Sequence, residues 1–257
     1  MMNQERSACP RLLVSVRSAT EMEAALSGGA DWIDLKEPND GALAAVDVTT
    51  AHEVAEQLGD RRPLSAALGE LRDGILKESR ELLELDAISV VKVGLAECRQ
   101  LDHWQESWLN VAQQAAEHGK QLVPVIYADW QTAAAPSPTE LMNLAKDADC
   151  QYVLIDTYNK QAGSLLEHLT LGKLQELLRW INDCGIKTVV AGSLTSDLLD
   201  RLPLEKIGML AVRGAVCQGD RTTNVDVGLV EVFRQAVAAR FREHQESSSP
   251  NASVSRR

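Results

Sequence analysis

The chain has 257 residues, of which 45% are hydrophobic, which is enough to bury one large core or two modest ones. Acidic residues outnumber basic ones by 37 to 26, and the formal charge of −11 disfavours nucleic acid as a partner. Since no apolar run approaches the roughly 18 residues of a membrane span and MMNQERSACP lacks a signal core, we expect a protein with no membrane partner.

Short β-rich runs recur along the chain, separated by segments with a helical pattern. In chain order they are Arg11–Val16, Asp31–Lys36, Pro63–Leu68, Ile88–Val93, Gln121–Tyr127, Gln151–Asp156, Lys187–Gly192 and Gly208–Arg213. Most are nearly continuous apolar runs, which is typical of parallel strands covered on both faces.

Two of the intervening segments carry clear helix signals. SATEMEAALSGG has Ser18 as a predicted N-cap, Glu21 three residues later and glycines at its end. LTLGKLQELLRWINDCG has leucines at helical spacing and stops at Gly185. The chain therefore alternates strand and helix throughout.

Eight such alternations predict an α/β fold, a (β/α)8 TIM barrel forming one domain over residues 11–242. An open doubly wound sheet is the alternative, but no G-x-G-x-x-G follows the first strand, and polar residues end many strands rather than one switch point. We expect residues 1–10 to be a flexible N-terminus. The polar, Ser-rich residues 243–257 are expected to be disordered.

The cysteines and histidines give no sign of a metal site. The five cysteines are scattered without a C-x-x-C or a nearby histidine pair, which argues against both zinc and a disulfide framework and favours a reducing cytoplasm. None of the five histidines pairs with another at ligand spacing.

Three lysines fall where strands end, and strand ends meet at one mouth of a barrel. Lys36 ends the second strand on the same face as Asp34, because residues two apart in a strand point the same way. Lys92 lies inside the apolar VVKVG, and Lys160 follows Asp156 by four residues. Any one of them is equally compatible with a solvated loop or an ion pair. Lys92 resists that interpretation best, because burying an unpaired ammonium is costly.

Several amines and carboxylates in one pocket suit Schiff-base chemistry. The reacting amine must be neutral, and burial next to a second ammonium lowers a lysine pKa in the required direction. Asp34 and Asp156 are then candidates to move protons at the carbon next to the iminium. An orienting ion pair from Asp34 to Lys36 or Lys92 is the alternative role for that carboxylate.

Small-residue turns after the last two strands predict a phosphate site. AGSL supplies Gly192 and Ser193, and VRGA supplies Arg213 and Gly214, where barrels often hold phosphate on backbone N–H groups. Arg213 is a candidate bidentate clamp, and the later GDR, residues 219–221, is a candidate second anion contact.

In these residues the sequence resembles the (5-formylfuran-3-yl)methyl phosphate synthase family of methanofuran biosynthesis. The resemblance runs from about Leu12 to Val232 and rests on LLVSV, GGADWIDLKEPNDGAL, VKVGL, IDTYNK, AGSL and VRGAVC in the same order. The turn NDGALAA and the segment LGELRDGILKES depart from the family pattern.

The resemblance implies a barrel enzyme that condenses two molecules of glyceraldehyde 3-phosphate into a phosphorylated furan aldehyde, with loss of phosphate and water. It implies that Lys36 is the Schiff-base lysine, Lys92 a second essential lysine, and Asp34, Asp156 and Lys160 the remaining functional groups. The implied enzyme needs no cofactor and no metal, and we expect a small phosphorylated aldehyde as substrate and a homo-oligomeric assembly. A class I aldolase acting on another phosphorylated sugar, or a non-catalytic phosphate-binding barrel, remain the alternatives.

Overall fold

The parallel strands predicted from the sequence form a nearly closed barrel. A computed structural model describes residues 8–74 and 77–247. The strands are β1 (Arg11–Val16), β2 (Trp32–Leu35), β3 (Leu64–Glu70), β4 (Ile88–Gly94), β5 (Gln121–Val123), β6 (Val125–Tyr127), β7 (Tyr152–Asp156), β8 (Lys187–Val190) and β9 (Met209–Val212). The single-domain α/β TIM barrel is confirmed.

The strand order shows how the barrel closes. The hydrogen-bonded order is β5-β4-β3-β2-β1-β9-β8-β7-β6, and every pair is parallel. The run predicted as one strand over Gln121–Tyr127 is thus two short segments, β5 and β6, on either side of Pro124. Proline has no N–H to give to a neighbouring strand, so the regular ladder is interrupted there. The carbonyl of Pro124 still accepts a hydrogen bond from the Leu154 N–H at 3.1 Å.

The α-helices occupy the segments between the strands. They are α1 (Ala19–Ser27), α2 (Val48–Leu58), α3 (Lys77–Glu81), α4 (Trp104–Glu117), α5 (Pro138–Asp147), α6 (Leu165–His168), α7 (Leu171–Asp183), α8 (Ser196–Leu199) and α9 (Val227–Ser247).

Both predicted helices form with the end residues that the sequence indicated, with one difference in α1. The Ser18 side chain accepts the Glu21 N–H and begins α1, and Gly185 follows the end of α7 with a positive φ of 72°. Glu21 does not turn back to the cap residue. Its carboxylate is buried and accepts the N–H of Arg17 at 2.9 Å.

The core has two layers, as strand alternation requires. One cluster fills the space between the strands and the helices, and the other fills the barrel interior. The interior cluster includes Leu13, Trp32, Val123, Leu154, Val189 and Met209. These apolar side chains fill the barrel interior away from the carboxyl ends of the strands. The polar side chains on the same strand faces lie at the carboxyl ends.

The chain ends differ in part from the sequence expectation. Helix α9 continues to Ser247, so residues 243–247, which the composition assigned to the polar tail, are helical. Residues 1–7 and 248–257 lie outside the described residues, as does most of each predicted terminal segment. All five cysteines are free. Within residues 8–74 and 77–247, no helix has the length and apolar character needed to cross a membrane.

Candidate active site

The end of β2 brings Asp34 and Lys36 into the mouth of the barrel. Asp34 is paired in register with Ser15 of β1 and Ser65 of β3, so the three side chains share the inward face. Lys36 follows the last residue of β2, and its N–H still bonds to the carbonyl of Val16 at 3.0 Å. Both side chains line a cavity of about 690 Å³ at the carboxyl ends of the strands.

Asp34 is fully buried and accepts three side-chain hydrogen bonds. The Ser15 hydroxyl donates to Oδ2 at 2.9 Å, the Ser65 hydroxyl donates to Oδ1 at 2.7 Å, and the Lys92 ammonium donates to Oδ1 at 2.5 Å. Three donors fix the orientation of this carboxylate. Of the two partners predicted for Asp34, Lys92 is the one that pairs with it.

A second lysine–carboxylate pair lies at the end of β7. Lys160 donates to Oδ1 of Asp156 and to the Thr157 hydroxyl at 3.2 Å, and the Thr157 N–H donates to the same carboxylate oxygen at 2.8 Å. Burial tends to raise the pKa of Asp156, but Lys160 and Lys36 outweigh it, so the pKa lies below its usual range. Asp156 is therefore an ionised carboxylate at the mouth.

Lys36 differs from both pairs because its amine has no hydrogen-bond or ion-pair partner among the described residues. Its side chain is only 9% exposed. Burial lowers the Lys36 pKa to about 7, with Lys160 and Lys92 adding to the decrease and Asp156 and Asp34 opposing it. At neutral pH a large fraction of this amine is unprotonated and free to attack a carbonyl.

Asp129 fixes the loop that carries Lys160. It lies just beyond β6 and is buried, and its two carboxylate oxygens accept the N–H groups of Tyr158 at 2.7 Å and Asn159 at 2.8 Å. Two charge-assisted bonds to consecutive amides define the path of the chain between Asp156 and Lys160. The sequence analysis missed this residue, although an aspartate directly after a barrel strand is itself a signal.

The turns after β8 and β9 form a further part of the cavity wall. Gly192, Ser193 and Gly214 line it, and their N–H groups donate to no described residue. Gly192 has a φ of +103°, and a Cβ there would lie 3.1 Å from side-chain atoms of Thr157 and Leu165. Glycine is thus required for both the turn and its close packing. These free N–H groups suit an anion.

Arg213 does not act as the predicted phosphate clamp. Its guanidinium is 5% exposed, and its two terminal nitrogens bond to the carboxylate of Glu21 at 2.8 and 3.1 Å. The remaining donors bond to backbone carbonyls of Ser15, Arg221 and Thr223. All five N–H groups are used within the protein, so Arg213 supports the wall of the cavity and has no donor left for a ligand.

Arg221 is the arginine whose donors remain available. It lines the cavity, and one terminal nitrogen donates to the carbonyl of Gly41 at 3.0 Å. Among the described residues it forms no ion pair. Burial lowers its pKa, an effect that Asp156 opposes and Arg213 reinforces, yet a guanidinium remains charged in proteins. Of the two arginines, Arg221 is therefore the one with donors not bound within the protein.

The described residues contain no cluster of histidine, cysteine and acidic side chains that could hold a metal ion. The charged groups that line the mouth are instead three lysines, three aspartates and two arginines: Lys36, Lys92, Lys160, Asp34, Asp156, Asp220, Arg213 and Arg221. This set supports amine and proton-transfer chemistry on an anionic substrate.

Comparison with known proteins identifies the family. Residues 12–234 match the family described as 4-HFC-P synthase. The chain belongs to this family. It is 30% identical over 227 residues to the (5-formylfuran-3-yl)methyl phosphate synthase of Methanosarcina barkeri, covering 86% of this chain and 96% of that protein. It is 31% identical over 215 residues to the synthase of the same name from Methanococcus maripaludis, covering 82% of this chain and 91% of the relative. The resemblance read from the sequence motifs is confirmed.

Solved structures with the same fold are more distant than the 4-HFC-P synthase relatives. The 3-hexulose-6-phosphate synthase of Salmonella typhimurium superposes with a TM-score of 0.60 at 16% identity, covering 90% of this chain and 99% of that one. The thiamine phosphate pyrophosphorylase of Pyrococcus furiosus gives 0.58 at 14% identity, covering 91% and 98%. At these identities the likeness shows the barrel fold alone.

Proposed function

We propose that this protein condenses two molecules of glyceraldehyde 3-phosphate into (5-formylfuran-3-yl)methyl phosphate, releasing inorganic phosphate and water. The product would serve the biosynthesis of a methanofuran-type one-carbon carrier. The observation that carries the proposal is the unpaired, buried amine of Lys36, with a pKa near 7, between two lysine–carboxylate pairs. The names of the family's curated members support the same reaction.

In the first step the neutral Lys36 amine adds to the aldehyde carbon of one substrate molecule. The carbinolamine loses water and becomes an iminium, which withdraws electrons from the neighbouring carbon. A proton can then leave that carbon, and phosphate can leave from the next one with the bonding electron pair. Phosphate loss leaves a conjugated enol iminium on Lys36. Its terminal carbon attacks the middle carbon of a second molecule, which proton transfer between its first two carbons has first converted from an aldehyde to a ketone. Ring closure and loss of water then give the furan. Hydrolysis of the iminium restores the Lys36 amine.

The two lysine–carboxylate pairs move the protons in this sequence. Asp156 accepts a proton from the carbon next to the iminium, and Lys160, bonded to the same oxygen, returns a proton to a leaving oxygen. Lys92 holds the Asp34 carboxylate in place through its hydrogen bond and helps to lower the pKa of Lys36. Since these groups interact closely, they titrate as a coupled set.

The phosphate of the substrate is held at the turns after β8 and β9. The N–H groups of Gly192, Ser193 and Gly214 point to an anion site there, and Arg221 adds a positive charge. Arg213 contributes indirectly by fixing the carbonyl of Arg221 at 2.5 Å from its Nε. Binding energy from the phosphate then orients the aldehyde toward Lys36.

The proposed reaction transfers no electrons to a redox partner, so we assign no cofactor. Five free cysteines support placement in a reducing cytoplasm. The homo-oligomeric assembly expected from the family remains a prediction.

The test is to incubate the protein with glyceraldehyde 3-phosphate and to follow the furan chromophore together with inorganic phosphate. We expect one phosphate released for each furan formed. An aldol product without net phosphate release would instead identify a class I aldolase, which uses the same lysine. Absence of both product and a borohydride-trapped adduct would indicate a non-catalytic phosphate-binding barrel.

A further inference from the structure

The loop that follows Lys36 is anchored at both ends and closes on itself, because the Glu37 N–H donates to the Ala44 carbonyl at 3.0 Å. After Lys36, the loop packs Leu43 into the barrel interior, and the Leu43 carbonyl accepts the Gly69 N–H at 2.8 Å. Between these anchors Asn39 and Asp40 are exposed. Gly41 turns the chain with a φ of +145°, a conformation that favours glycine.

Arg221 is the side chain that reaches the middle of this loop. Its terminal nitrogen donates to the Gly41 carbonyl at 3.0 Å across 180 positions of sequence. The remaining guanidinium N–H groups of Arg221 have no acceptor among the described residues, while the side chain lines the cavity. One guanidinium thus holds the loop at one edge and offers its other donors to the cavity.

The backbone at Arg221 is held by hydrogen bonds on both sides of the residue. Its carbonyl accepts Nε of Arg213, which is itself fixed by the buried Glu21. The preceding Asp220 closes the turn by accepting the Thr222 N–H at 2.7 Å. A Cβ on Gly214 would lie 3.7 Å from Cβ of Arg221, so the arginine stem lies close above the β9 turn.

We propose that Arg221 couples occupancy of the phosphate site to the position of the loop that follows Lys36. A phosphate dianion bound to the free edge of the guanidinium restricts its rotation, which strengthens the bond to the Gly41 carbonyl and orders the loop beside the reacting amine. The coupling makes Arg221 a specificity-determining residue, because an aldehyde without a phosphate leaves the loop less ordered. This inference rests on the proposed function.

Hydrogen–deuterium exchange with inorganic phosphite as the probe tests the coupling. We expect saturating phosphite to slow amide exchange in residues 39–46 of the wild-type protein, as well as in the turns after β8 and β9. In Arg221→Ala the slowing in residues 39–46 should disappear. Arg72→Ala is the matched control, since Arg72 lies after β3, pairs with Glu97 and does not line the cavity; it should behave as the wild type.

Arg221→Lys separates binding from coupling. Lysine keeps the positive charge but has no planar fork that can bond to a carbonyl and an anion at once. Phosphite should therefore still protect the turns after β8 and β9 in this variant, with protection of residues 39–46 lost.

A functional measurement accompanies the exchange data. Borohydride trapping of unphosphorylated glyceraldehyde on the protein should become at least about tenfold faster with saturating phosphite, and the ratio of rates should fall toward one in both Arg221 variants. Unchanged exchange in residues 39–46 of the wild type, or an Arg221→Lys protein indistinguishable from it, would overturn the inference. Furan formation by the wild type is scored separately, so the proposed function can stand while the coupling fails.

Discussion

The carboxyl end of β2 and the ends of β4 and β7 place lysines in the same mouth under opposite conditions. Lys92 and Lys160 each bond to a buried carboxylate, whereas Lys36 bonds to none among the described residues. Burial lowers the pKa of Lys160 as well, but its bond to Asp156 opposes that decrease, and Lys36 has no such bond. We therefore expect pairing, rather than burial alone, to distinguish the reactive amine among the three neighbouring lysines.

Among variants of the three lysines, Lys36→Met should have the largest effect on activity. Without the amine no iminium forms, so kcat should fall by several orders of magnitude, as in other enzymes that lose their covalent nucleophile. The free energy of unfolding should rise, because a pKa lowered to about 7 in the folded protein costs on the order of 4 kcal/mol at neutral pH and below. Steady-state kinetics and thermal unfolding at pH 7 measure both changes.

Lys173→Met, at an exposed position on α7, is the control for loss of a lysine. It should leave kcat and the melting temperature near wild-type values. A fall in melting temperature for Lys36→Met would mean that the amine is paired after all.

Lys92→Met should change stability in the opposite direction and lower kcat by less. Removing the ammonium leaves Asp34 buried with only the Ser15 and Ser65 hydroxyls, and breaking a buried pair typically costs about 3–5 kcal/mol of stability. We expect kcat to fall by a factor of roughly ten or more through loss of proton-transfer assistance. Full activity with a large loss of melting temperature would make Lys92 purely structural.

Asp129 tests how the Asp156–Lys160 pair is held, because it positions Lys160 without contacting it. Asp129→Asn keeps one oxygen acceptor for the loop and Asp129→Ala keeps none, so kcat should fall in that order, by several-fold for alanine. Asp47→Ala is the matched control because it removes a carboxylate that accepts the Thr50 N–H at the start of α2. It should cost about 1 kcal/mol of stability without a change in kcat.

If Asp129→Ala lowers kcat no more than Asp47→Ala does, the loop that carries Lys160 does not need this anchor. The Asp156–Lys160 pair would then be held by its own contacts.

The smallest effect expected is a shift of the pH profile. The neutral amine of Lys36 reacts, so kcat/KM should rise with pH up to about pH 7 and level off above it. Lys92 contributes to lowering the Lys36 pKa, so Lys92→Met should move the acid limb to higher pH. A limb that moves to lower pH would show that Lys92 acts on Lys36 mainly through another group.

Much of the barrel and of its inward-facing charges could be predicted because both follow from local periodicity. Alternation by two places Asp34 and Lys36 on one face, and the parallel register then carries that face to Ser15 and Ser65. The neighbours of Lys92 in the sequence are apolar, so its ammonium was likewise expected to need a partner inside the barrel.

The anion wall was harder to predict because its contacts join distant loops. Arg213 matched the motif for a phosphate clamp, yet its donors are taken by Glu21, 192 positions away, and by three carbonyls. No local sequence pattern indicates which of the two arginines will have its guanidinium donors bound within the protein. Asp129 was missed for a similar reason, since its partners are backbone amides 29 and 30 residues ahead.

Reductive trapping tests the central claim most directly. The protein is incubated with glyceraldehyde 3-phosphate and borohydride, digested with trypsin and mapped by mass spectrometry. We predict one adduct on Lys36, which blocks cleavage there and yields a modified peptide spanning residues 18–61. An adduct on Lys92 or Lys160, with Lys36 unmodified, would contradict the assignment of the unpaired lysine as the reactive amine.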